Sequence, residues 1–423
     1  MKVLVIGSGG REHALCWKLR QSPLLTELYC APGSSGISNL ADTVPISPDE
    51  IHQLADFAAD LKIDLTIVGP ELPLSLGLVN EFQSRGMAIF GPRKQAAELE
   101  SSKVFAKRFM ERHGIPTARF NVVHDQQEAR RSVEELGLPI VLKADGLAAG
   151  KGVFVVHEAE ELETALATLF EERRFGAASD RVIVEEFLEG EEVSFLALCD
   201  GERLLSLATS KDYKRIGDGD TGPNTGGMGA HSPSLVMDSE LAAVVVEQVM
   251  RPVVAGMKGE DRLLVGVLYA GLVLTAEGPK VLEFNLRLGD PETQPLLMRI
   301  EDDLLPVLLA GATGGFETGR LTFRKEAAVC LVLASEGYPG KPNKGEIIEG
   351  LEAAAAHPGV EIFHAGTALR DGKFVATGGR VLNVCASGSN LLEALKKAYA
   401  AAAEISWPSK VLRYDIGRRV LGG

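Results

Sequence analysis

The sequence predicts an α/β protein that opens with an open parallel sheet and continues through two further α/β regions. Short apolar runs that suit buried strands alternate with helical patterns over the first 100 residues. Glycines stand where these strands end. A length of 423 residues also exceeds what one hydrophobic core organises. Alternating strands and helices of this kind are typical of a parallel sheet whose ligand lies at the carboxyl ends of the strands.

The first domain is predicted to span residues 1–101 and to supply the parallel sheet. Its predicted elements are a strand at 2–6, a glycine-rich turn at 7–10, a helix at 14–20, a strand at 28–30 and a strand at 65–68. Gly69, Pro70 and Glu71 follow the last of these strands.

The remainder is predicted to form one composite catalytic region and a small α/β domain. The catalytic region is expected at 102–325, with a smaller inserted subdomain at about 118–192. The last domain is expected at 326–423, where strands at 327–333 and 379–384 precede an alanine-rich helix at 391–405.

Composition and charge restrict the class of partner. The chain is 45% hydrophobic and 24% charged, as in soluble globular proteins, and its net charge of −14 argues against a nucleic-acid or anionic-membrane partner. Five cysteines without CxxC spacing favour reduced thiols and give no zinc pattern. No apolar run approaches about 18 residues, and we expect a cytoplasmic protein.

Glu283 and Asn285 are the most informative residues, because they lie two positions apart inside an apolar run. Alternate strand residues face the same side, so the two side chains converge. Their oxygens suit a hard cation such as Mg²⁺, which also takes phosphate oxygens as ligands. The alternative is a strand end with solvated charges.

Three further segments carry candidate binding chemistry. Residues 143–153 form a glycine-rich hairpin with lysines at both ends, which suits phosphates or is an ordinary flexible hairpin. It is not a Walker A loop, because three residues separate Gly146 from Gly150 and Gly152 replaces the Ser or Thr. Residues 182–188 are predicted to be a strand exit that either suits an adenine edge or is an ordinary strand exit. Residues 211–229 are predicted to be a loop that binds an anion, with a solvated linker as the alternative.

Taken in order along the chain, these segments resemble the glycinamide ribonucleotide synthetase (phosphoribosylamine–glycine ligase) family of the ATP-grasp superfamily. The resemblance covers essentially the full length and rests on residues 5–14, 69–71, 102–103, 143–152, 185–188, 217–229, 287–294, 338–340, 364–367 and 415–417. It implies a central ATP-grasp domain with an inserted lid subdomain. It also implies that ATP activates glycine as an acyl phosphate, which the amine of 5-phosphoribosylamine attacks in purine synthesis.

The resemblance further assigns roles to residues. It implies phosphate binding by Lys103 and Lys143, a lid that includes Gly150, Lys151 and Gly152, an adenine site at Glu185, Glu186, Phe187 and Leu188, and ribose contacts at Glu192. It implies catalytic roles for Arg287, Asp212 and Lys214, with Asn224, Thr225, Gly226, Gly227 and Asp290 on the substrate side. Phosphoribosylamine is expected at Gly9, Gly10, Glu12, Pro70 and Glu71, by analogy with anion binding at helix starts. The metal is Mg²⁺ or Mn²⁺ on Glu283 and Asn285, and we expect a monomer.

Four positions depart from the family pattern, and we expect them to affect packing rather than chemistry. Tyr213 stands where His is common and His231 where Tyr is common, and Leu286 and Leu288 replace Ala and Phe. They leave the role of Tyr213 open. The strand at 266–274 also offers no carboxylate, so the cation site has two protein ligands.

Three other functions compete. An oxidoreductase is suggested by the glycines after the first strand, but Cys30 to Gly33 stand where a ribose-binding acid is expected. An ATP-grasp ligase with another acceptor is opposed by residues 220–224 and by the C-terminal matches. A nucleotide-binding protein without activity would need the cation pair or Arg287 to be missing, and they are present.

Overall fold

The computed structural model describes residues 1–146, 152–316 and 319–418. Within these ranges, no helix is long and apolar enough to cross a membrane.

The N-terminal part is a five-stranded parallel sheet in the order β3-β2-β1-β4-β5. Its elements are β1 (Lys2–Gly7), α1 (Gly10–Leu19), β2 (Glu27–Pro32), β3 (Asp42–Thr43), α2 (Ile51–Asp60), β4 (Leu65–Val68), α3 (Glu71–Leu76), α4 (Leu78–Ser84) and β5 (Ile89–Phe90). The first helix begins four residues earlier than its apolar pattern predicts, because it starts directly after the glycine turn. The carboxyl ends of β1 and β4 therefore meet at residues 7–10 and 69–71.

A four-stranded antiparallel sheet in the order β6-β9-β7-β8 follows two connecting helices. The elements are α5 (Lys94–Ser101), α6 (Lys103–Arg112), β6 (Phe120–Val123), α7 (Gln126–Leu136), β7 (Ile140–Ala144), β8 (Val153–Val156), α8 (Ala159–Leu166) and β9 (Val182–Glu186). A π turn at Ala167–Glu171 extends α8. The strands β7 and β8 pair as the hairpin that the sequence predicts around residues 143–153.

A second antiparallel sheet carries the predicted metal strand and has the order β11-β10-β16-β17. Its elements are β10 (Glu191–Asp200), β11 (Leu204–Ser206), α9 (Ser239–Val245), α10 (Arg251–Gly259), β16 (Val265–Thr275) and β17 (Gly278–Asn285). A π turn at Val246–Met250 joins α9 to α10.

Residues 211–229 differ from the loop that the sequence predicts. They contain β12 (Lys211–Asp212) and a hairpin of β13 (Arg215–Gly217) with β14 (Thr221–Asn224), and β15 (Gly229–Ser232) follows. Glycine and aspartate dominate because the hairpin needs tight turns, with positive φ at Gly219, Asp220 and Gly222.

The C-terminal sheet has the order β12-β15-β18-β22-β19, with β23 paired to β18. The remaining elements are α11 (Thr293–Arg299), α12 (Leu304–Thr313), β18 (Ala327–Ser335), α13 (Leu351–Ala355), β19 (Val360–His364), β20 (Thr367–Arg370), β21 (Lys373–Ala376), β22 (Arg380–Gly388), α14 (Leu391–Glu404) and β23 (Lys410–Val411). The strands β12 and β15 come from the middle of the chain. The sheet therefore ties residues 211–232 to the C-terminal part.

One hydrophobic core connects the three parts of the chain. It contains Val5 of β1, Leu297 of α11 and Cys330 of β18, all at most 2% exposed. Burial of this apolar surface fixes the relative positions of the elements whose ends form the site below.

Candidate active site

Glu283 and Asn285 lie at the end of β17 and are both half-buried, whereas Phe284 between them is buried in the core. The alternation that the sequence predicts therefore brings a carboxylate and an amide oxygen to one side. Arg287 Nη2 donates to Asn285 Oδ1 at 3.2 Å, and Lys214 Nζ lies 3.7 Å from Glu283 Oε1. Across the described ranges, no group of three His, Cys, Asp or Glu side chains is arranged to hold a metal ion. The possible metal donors are thus two side-chain oxygens, one from Glu283 and one from Asn285. Two cationic side chains, Lys214 and Arg287, lie beside them.

The charge around Glu283 is strongly positive. Burial alone would raise the pKa of Glu283, but Lys214, Lys143 and Lys103 outweigh it and lower that pKa. For Lys214, burial opposes protonation, yet Glu192, Glu283 and Asp212 raise its pKa. The centre therefore keeps an ionised carboxylate among lysines, which suits polyphosphate and a divalent cation.

Lys143 is held in place by an ion pair with the buried carboxylate of Glu185. Its Nζ forms an ion pair with Glu185 Oε1 and donates to Leu282 O at 3.2 Å. Glu185 Oε2 lies 2.5 Å from Lys107 Nζ, which also donates to Thr117 Oγ1 at 2.7 Å. Glu185 thus uses its carboxylate to fasten two lysines and is only 1% exposed.

Lys103 lies at the first turn of α6, beside the glycine-rich hairpin. Its Nζ donates to Gly146 O at 2.7 Å. Asp145 fixes this turn, because its Oδ1 accepts from Ser102 Oγ at 3.0 Å and from the Val104 amide at 3.1 Å. Gly152 closes the hairpin by accepting from the Ala144 amide at 2.9 Å.

The predicted lid residues Gly150 and Lys151 lie outside the described residues.

The residues predicted to bind adenine lie at the exit of β9. The Glu186 carboxylate is held by Arg119, whose Nε lies 2.7 Å away, and the Phe187 ring contacts His157 at 5.6 Å between centroids. In the part of the chain that the structure describes, the Leu188 amide has no hydrogen-bond partner, so it is available to a ligand acceptor. Glu192 is exposed and lies 3.5 Å from Lys214 Nζ.

Arg287 lies between two carboxylates from the N-terminal half. Its Nε is 3.2 Å from Glu100 Oε1 and 3.4 Å from Glu71 Oε2. The other Glu100 oxygen accepts from the Leu286 amide at 2.7 Å, so Glu100 positions both the backbone and the guanidinium. Glu71, which lies three residues after the end of β4, therefore contacts Arg287.

Asp212 and Glu292 form an acidic patch on the substrate side. Asp212 Oδ1 is buried without a hydrogen-bond partner among the described residues, and Glu292 is 3% exposed. Glu292 Oε1 accepts from Tyr269 at 2.5 Å, and Ser194 Oγ lies 2.8 Å from the same tyrosine oxygen. Burial, followed by the charge of Glu292, raises the pKa of Asp212 well above its ordinary value. An orphaned carboxyl oxygen of this kind suits a cationic or N–H-bearing ligand group.

The predicted phosphoribosylamine turn is closed around Glu12. The Gly9 amide donates to Glu12 Oε2 at 2.7 Å, and Arg11 Nε donates to Oε1 at 2.6 Å. A Cβ at Gly69 would lie 2.0 Å from the same Oε1. Glu12 is thus 2% exposed and lies inside the turn, whereas Gly9 presents the start of α1.

Asp290 joins that turn to the C-terminal sheet. Arg380 Nη2 lies 3.1 Å from Asp290 Oδ2, and Arg380 Nη1 donates to Gly226 O at 2.6 Å. The Gly226 amide donates to the Tyr338 hydroxyl at 2.9 Å. A Cβ at Gly9 would lie 3.7 Å from Asp290 Oδ2. Residues from all three parts of the chain therefore meet here, and Gly9, Gly226 and Asp290 among them are predicted substrate residues.

The sequence singled out most of these residues but missed their supports: Glu100, Lys107, Asp145, Tyr269 and Arg380. Each acts through a contact to a residue distant in sequence, and for four of the five no local spacing marks the residue. Lys107 alone carries a signal, since it lies one helical turn after Lys103 on α6.

Comparison with known proteins gives a consistent result over the whole chain. The N domain, the ATP-grasp (A) domain and the C domain of phosphoribosylglycinamide synthetase match residues 1–100, 101–293 and 328–419. A phosphoribosylamine–glycine ligase of Mesorhizobium japonicum is 49% identical over 99% of this chain and 98% of that protein. Another from Escherichia coli O157:H7 is 48% identical over 100% of this chain and 99% of that protein.

Solved structures agree with this result. The crystal structure of phosphoribosylamine–glycine ligase from Thermotoga maritima is 35% identical, covers 98% of this chain and 100% of that chain, and has a TM-score of 0.86. A biotin carboxylase domain from Hydrogenobacter thermophilus, solved with the magnesium salt of ADP and bicarbonate, has a TM-score of 0.76 at 17% identity. It covers 97% of this chain and 91% of that chain, and at this identity it shows the fold alone.

Proposed function

We propose a mechanism that proceeds from one premise: the chain belongs to the phosphoribosylglycinamide synthetase family, with an N-terminal parallel α/β domain, an ATP-grasp domain and a C-terminal domain. It is a ligase of purine biosynthesis that joins glycine to 5-phosphoribosylamine with ATP as co-substrate. The products are glycinamide ribonucleotide, ADP and phosphate. We place the domain boundaries at 1–101, 102–325 with the lid subdomain at about 118–192, and 326–423.

The observation that carries the mechanism is the convergence of Lys143, Lys214 and Arg287 on Glu283 and Asn285. In the first step, a carboxylate oxygen of glycine attacks the γ-phosphorus of ATP, and the bond to the ADP oxygen breaks. Lys103 and Lys143 hold the α- and β-phosphates, and Arg287 faces the glycine carboxylate. Catalysis of this step rests on positioning and on neutralising charge on the transferred group.

We assign Glu283 and Asn285 as the ligands of a divalent cation, Mg²⁺ or Mn²⁺. A carboxylate and an amide oxygen on one side of a strand fit such an ion, which also takes phosphate oxygens. When bound, it supplies further charge neutralisation. Lys214 lies beside Glu283 and balances its charge in the absence of the ion.

In the second step, the amine of phosphoribosylamine attacks the carbonyl carbon of glycyl phosphate, the bond from that carbon to the phosphate oxygen breaks, and the leaving phosphate takes up the amine proton. Asp212 lies beside Lys214 at this centre, and its unpartnered oxygen suits the amine N–H. Asn224, Thr225, Gly226, Gly227 and Asp290 hold the substrate side. Phosphoribosylamine lies at Gly9, Gly10, Pro70 and Glu71, where the start of α1 suits an anion, and Glu12 shapes that turn from within.

The remaining nucleotide contacts complete the site. Glu186, Phe187 and Leu188 seat the adenine, and Glu192 is available to the ribose hydroxyls. The lid with Gly150, Lys151 and Gly152 keeps water from the acyl phosphate, which would otherwise hydrolyse. All proposed residues belong to one chain, so we expect a monomer to be active.

The direct test measures ADP release by the purified protein with Mg²⁺, ATP and glycine, with and without phosphoribosylamine generated in place. We expect turnover to require both substrates and to yield the glycine amide of phosphoribosylamine by mass. Equal turnover with another carboxylate or amine would refute the substrate assignment and leave the fold intact.

A further inference from the structure

Among the residues that the structure describes, Arg413 has the largest fully buried side chain, although it is charged. Its side chain is 1% exposed and lies after β23, outside the residues assigned to catalysis. Arg413 Nη2 is 2.7 Å from Asp415 Oδ2, and its Nη1 is 2.9 Å from Asp220 Oδ1. Because a buried arginine is costly unless paired, these two carboxylates must remain in place around it.

The same guanidinium reaches the hairpin of β13 and β14 directly. Its Nη1 donates to Arg215 O at 3.0 Å, and its Cζ lies 5.3 Å from the centre of the Tyr213 ring. One side chain thus binds the first strand of the hairpin, its turn residue Asp220 and the aromatic residue that precedes it.

Backbone hydrogen bonds extend this contact along residues 413–417, which we name the C-terminal brace. The Gly417 amide donates to the Tyr213 hydroxyl at 2.9 Å, and the Tyr414 amide donates to Asp218 Oδ1 at 2.8 Å. In the opposite direction, the Gly219 amide donates to Asp415 Oδ2 at 2.8 Å. The brace therefore holds the first strand of the hairpin and its turn.

The residues that the brace grips alternate with residues of the active site. Tyr213 is 4% exposed in the C-terminal core, whereas Asp212 and Lys214 on either side of it face the carboxylates of the site. The far end of the hairpin returns to Lys214, whose carbonyl accepts from the Thr225 amide at 2.8 Å. Movement of the hairpin would consequently displace Lys214 and residues 224–227 together.

We propose that Arg413 is a positioning residue for the ligase reaction, which holds the hairpin at 213–225 so that Lys214 and residues 224–227 face glycine and phosphoribosylamine. The proposal rests on the proposed function for the identity of these substrates. It gives Tyr213 a role: the tyrosine anchors the hairpin to the brace through its hydroxyl and its ring. The proposal also explains why this residue is an arginine. A planar guanidinium has several N–H groups and can bind two carboxylates and a carbonyl oxygen at the same time, which a lysine ammonium does less well.

The test compares Arg413→Met with Asp220→Asn, which removes the charge of one partner at a side chain that is 37% exposed and therefore spares the core. Arg418→Met is the matched control, because Arg418 is an exposed arginine five residues further along the chain. Arg413→Lys is the conservative variant. For each protein, the KM values for glycine and phosphoribosylamine, the binding of a nonhydrolysable ATP analogue and the thermal midpoint are measured.

We expect Arg413→Met to raise both substrate KM values by about tenfold or more, because small displacements of positioning groups have large kinetic effects. Binding of the ATP analogue should change far less, since Lys103, Lys107 and Lys143 lie outside the hairpin. Asp220→Asn should act in the same direction with a smaller effect, Arg413→Lys should recover part of the loss, and Arg418→Met should match the parent protein. The proposal would be overturned if the affinity for the ATP analogue fell by the same factor as the substrate KM values rose. It would also be overturned if the substrate KM values were unchanged in both Arg413→Met and Asp220→Asn.

Limited trypsin digestion separates this proposal from the proposed function. Lys214 and Arg215 are cleavage sites within the hairpin, and cleavage there follows local opening. We expect faster cleavage at these sites in Arg413→Met and Asp220→Asn than in Arg418→Met, whichever substrates the enzyme uses. Unchanged cleavage would contradict the brace even if the ligase reaction is confirmed.

Discussion

Glu185 shows how one buried carboxylate organises the nucleotide subsite at the residue scale. It forms ion pairs with Lys107 and with Lys143, the residue that we propose binds the phosphates, and it belongs to β9. Burial lowers the pKa of Lys107 to about 8, against the opposing effect of Glu185. We therefore propose that Lys107 influences ATP binding through Glu185 and Lys143.

Replacing Lys107 tests this set of contacts from Lys107 through Glu185 to Lys143. Lys107→Met should raise the KM for ATP by about tenfold and leave the KM for glycine unchanged. The substitution breaks a buried ion pair, so among the described residues Lys143 becomes the one remaining cation paired with the Glu185 carboxylate and is drawn towards it. Arg108→Met, on the exposed side of the same helix, is the control. A change in the glycine KM equal to that for ATP would show a general loss of structure instead.

Asp212 is predicted to lower the folding stability of the protein at neutral pH while it serves the reaction. Its pKa is raised in the folded protein, so the folded state binds its proton more tightly than the unfolded chain, and its contribution to stability is lost as the pH rises above the ordinary value of 3.8. Asp212→Asn should therefore raise the free energy of unfolding by about 1 to 2 kcal/mol at pH 7.5, and abolish ligation. Chemical denaturation at pH 7.5 and pH 4 measures this, and a gain that persists undiminished at pH 4 would contradict it.

At the residue scale, the sequence predicts the groups that face the ligands better than the groups that hold them. Glu283 and Asn285 were predictable because a two-residue spacing on a strand has a geometric meaning. Arg380 and Glu100 were not, since they reach Asp290 and Arg287 from elements 90 and 187 positions away in the chain.

At the element scale, the start of α1 packs closely against the C-terminal part of the chain. A Cβ at Gly10 would lie 2.0 Å from Asn383 Nδ2 and 2.9 Å from Gln294 Nε2. Asn383 is 1% exposed and donates to Phe363 O, so it cannot move aside freely. Glycine at this position allows the predicted phosphoribosylamine turn to pack against both the C-terminal sheet and α11.

Gly10→Ala should destabilise the protein by about 1 to 3 kcal/mol, because the added methyl group overpacks this junction. Thermal unfolding measures the effect, and the KM for phosphoribosylamine should rise with it. Gly259→Ala in α10 is the control, since none of the described residues lies within 4 Å of a Cβ there. Equal midpoints for the two variants would refute the close packing at Gly10.

The elements themselves were largely predictable, with one instructive exception. The strand at 65–68 matches β4, and the helix at 391–405 matches α14 within one residue. Residues 211–229 were predicted as a loop because Gly and Asp dominate their composition. Their pairing depends instead on contacts with residues 413–417 and on β18, which no local pattern reveals.

At the scale of the whole molecule, the N-terminal and C-terminal parts meet through two histidines. The His364 amide donates to His13 Nδ1 at 2.9 Å, and a Cβ at Gly36 would lie 2.3 Å from the His364 side chain. Burial, followed by the charge of His364, lowers the pKa of His13 to about 3, and burial lowers that of His364 to about 4. Both rings are therefore neutral in the folded protein.

This contact predicts a loss of stability in acid. The unfolded chain binds protons on these histidines below the ordinary value of 6.5, whereas the folded protein does not, so stability falls as the pH decreases from 6.5 towards 4. His13→Asn should make this decline shallower, as measured by chemical denaturation at pH 7, 6 and 5. His52→Asn, at a side chain that is 72% exposed, should keep the parent's slope. An unchanged slope in His13→Asn would contradict the account.

The most direct test of the central claim follows the oxygen atoms of glycine through one turnover. If glycine is activated as an acyl phosphate and then attacked by phosphoribosylamine, a carboxylate oxygen must leave with the phosphate. Reaction of glycine labelled with ¹⁸O in both carboxylate oxygens should therefore give inorganic phosphate that carries one ¹⁸O atom, detected by mass spectrometry. Unlabelled phosphate formed together with the ribonucleotide amide would contradict the glycyl phosphate mechanism.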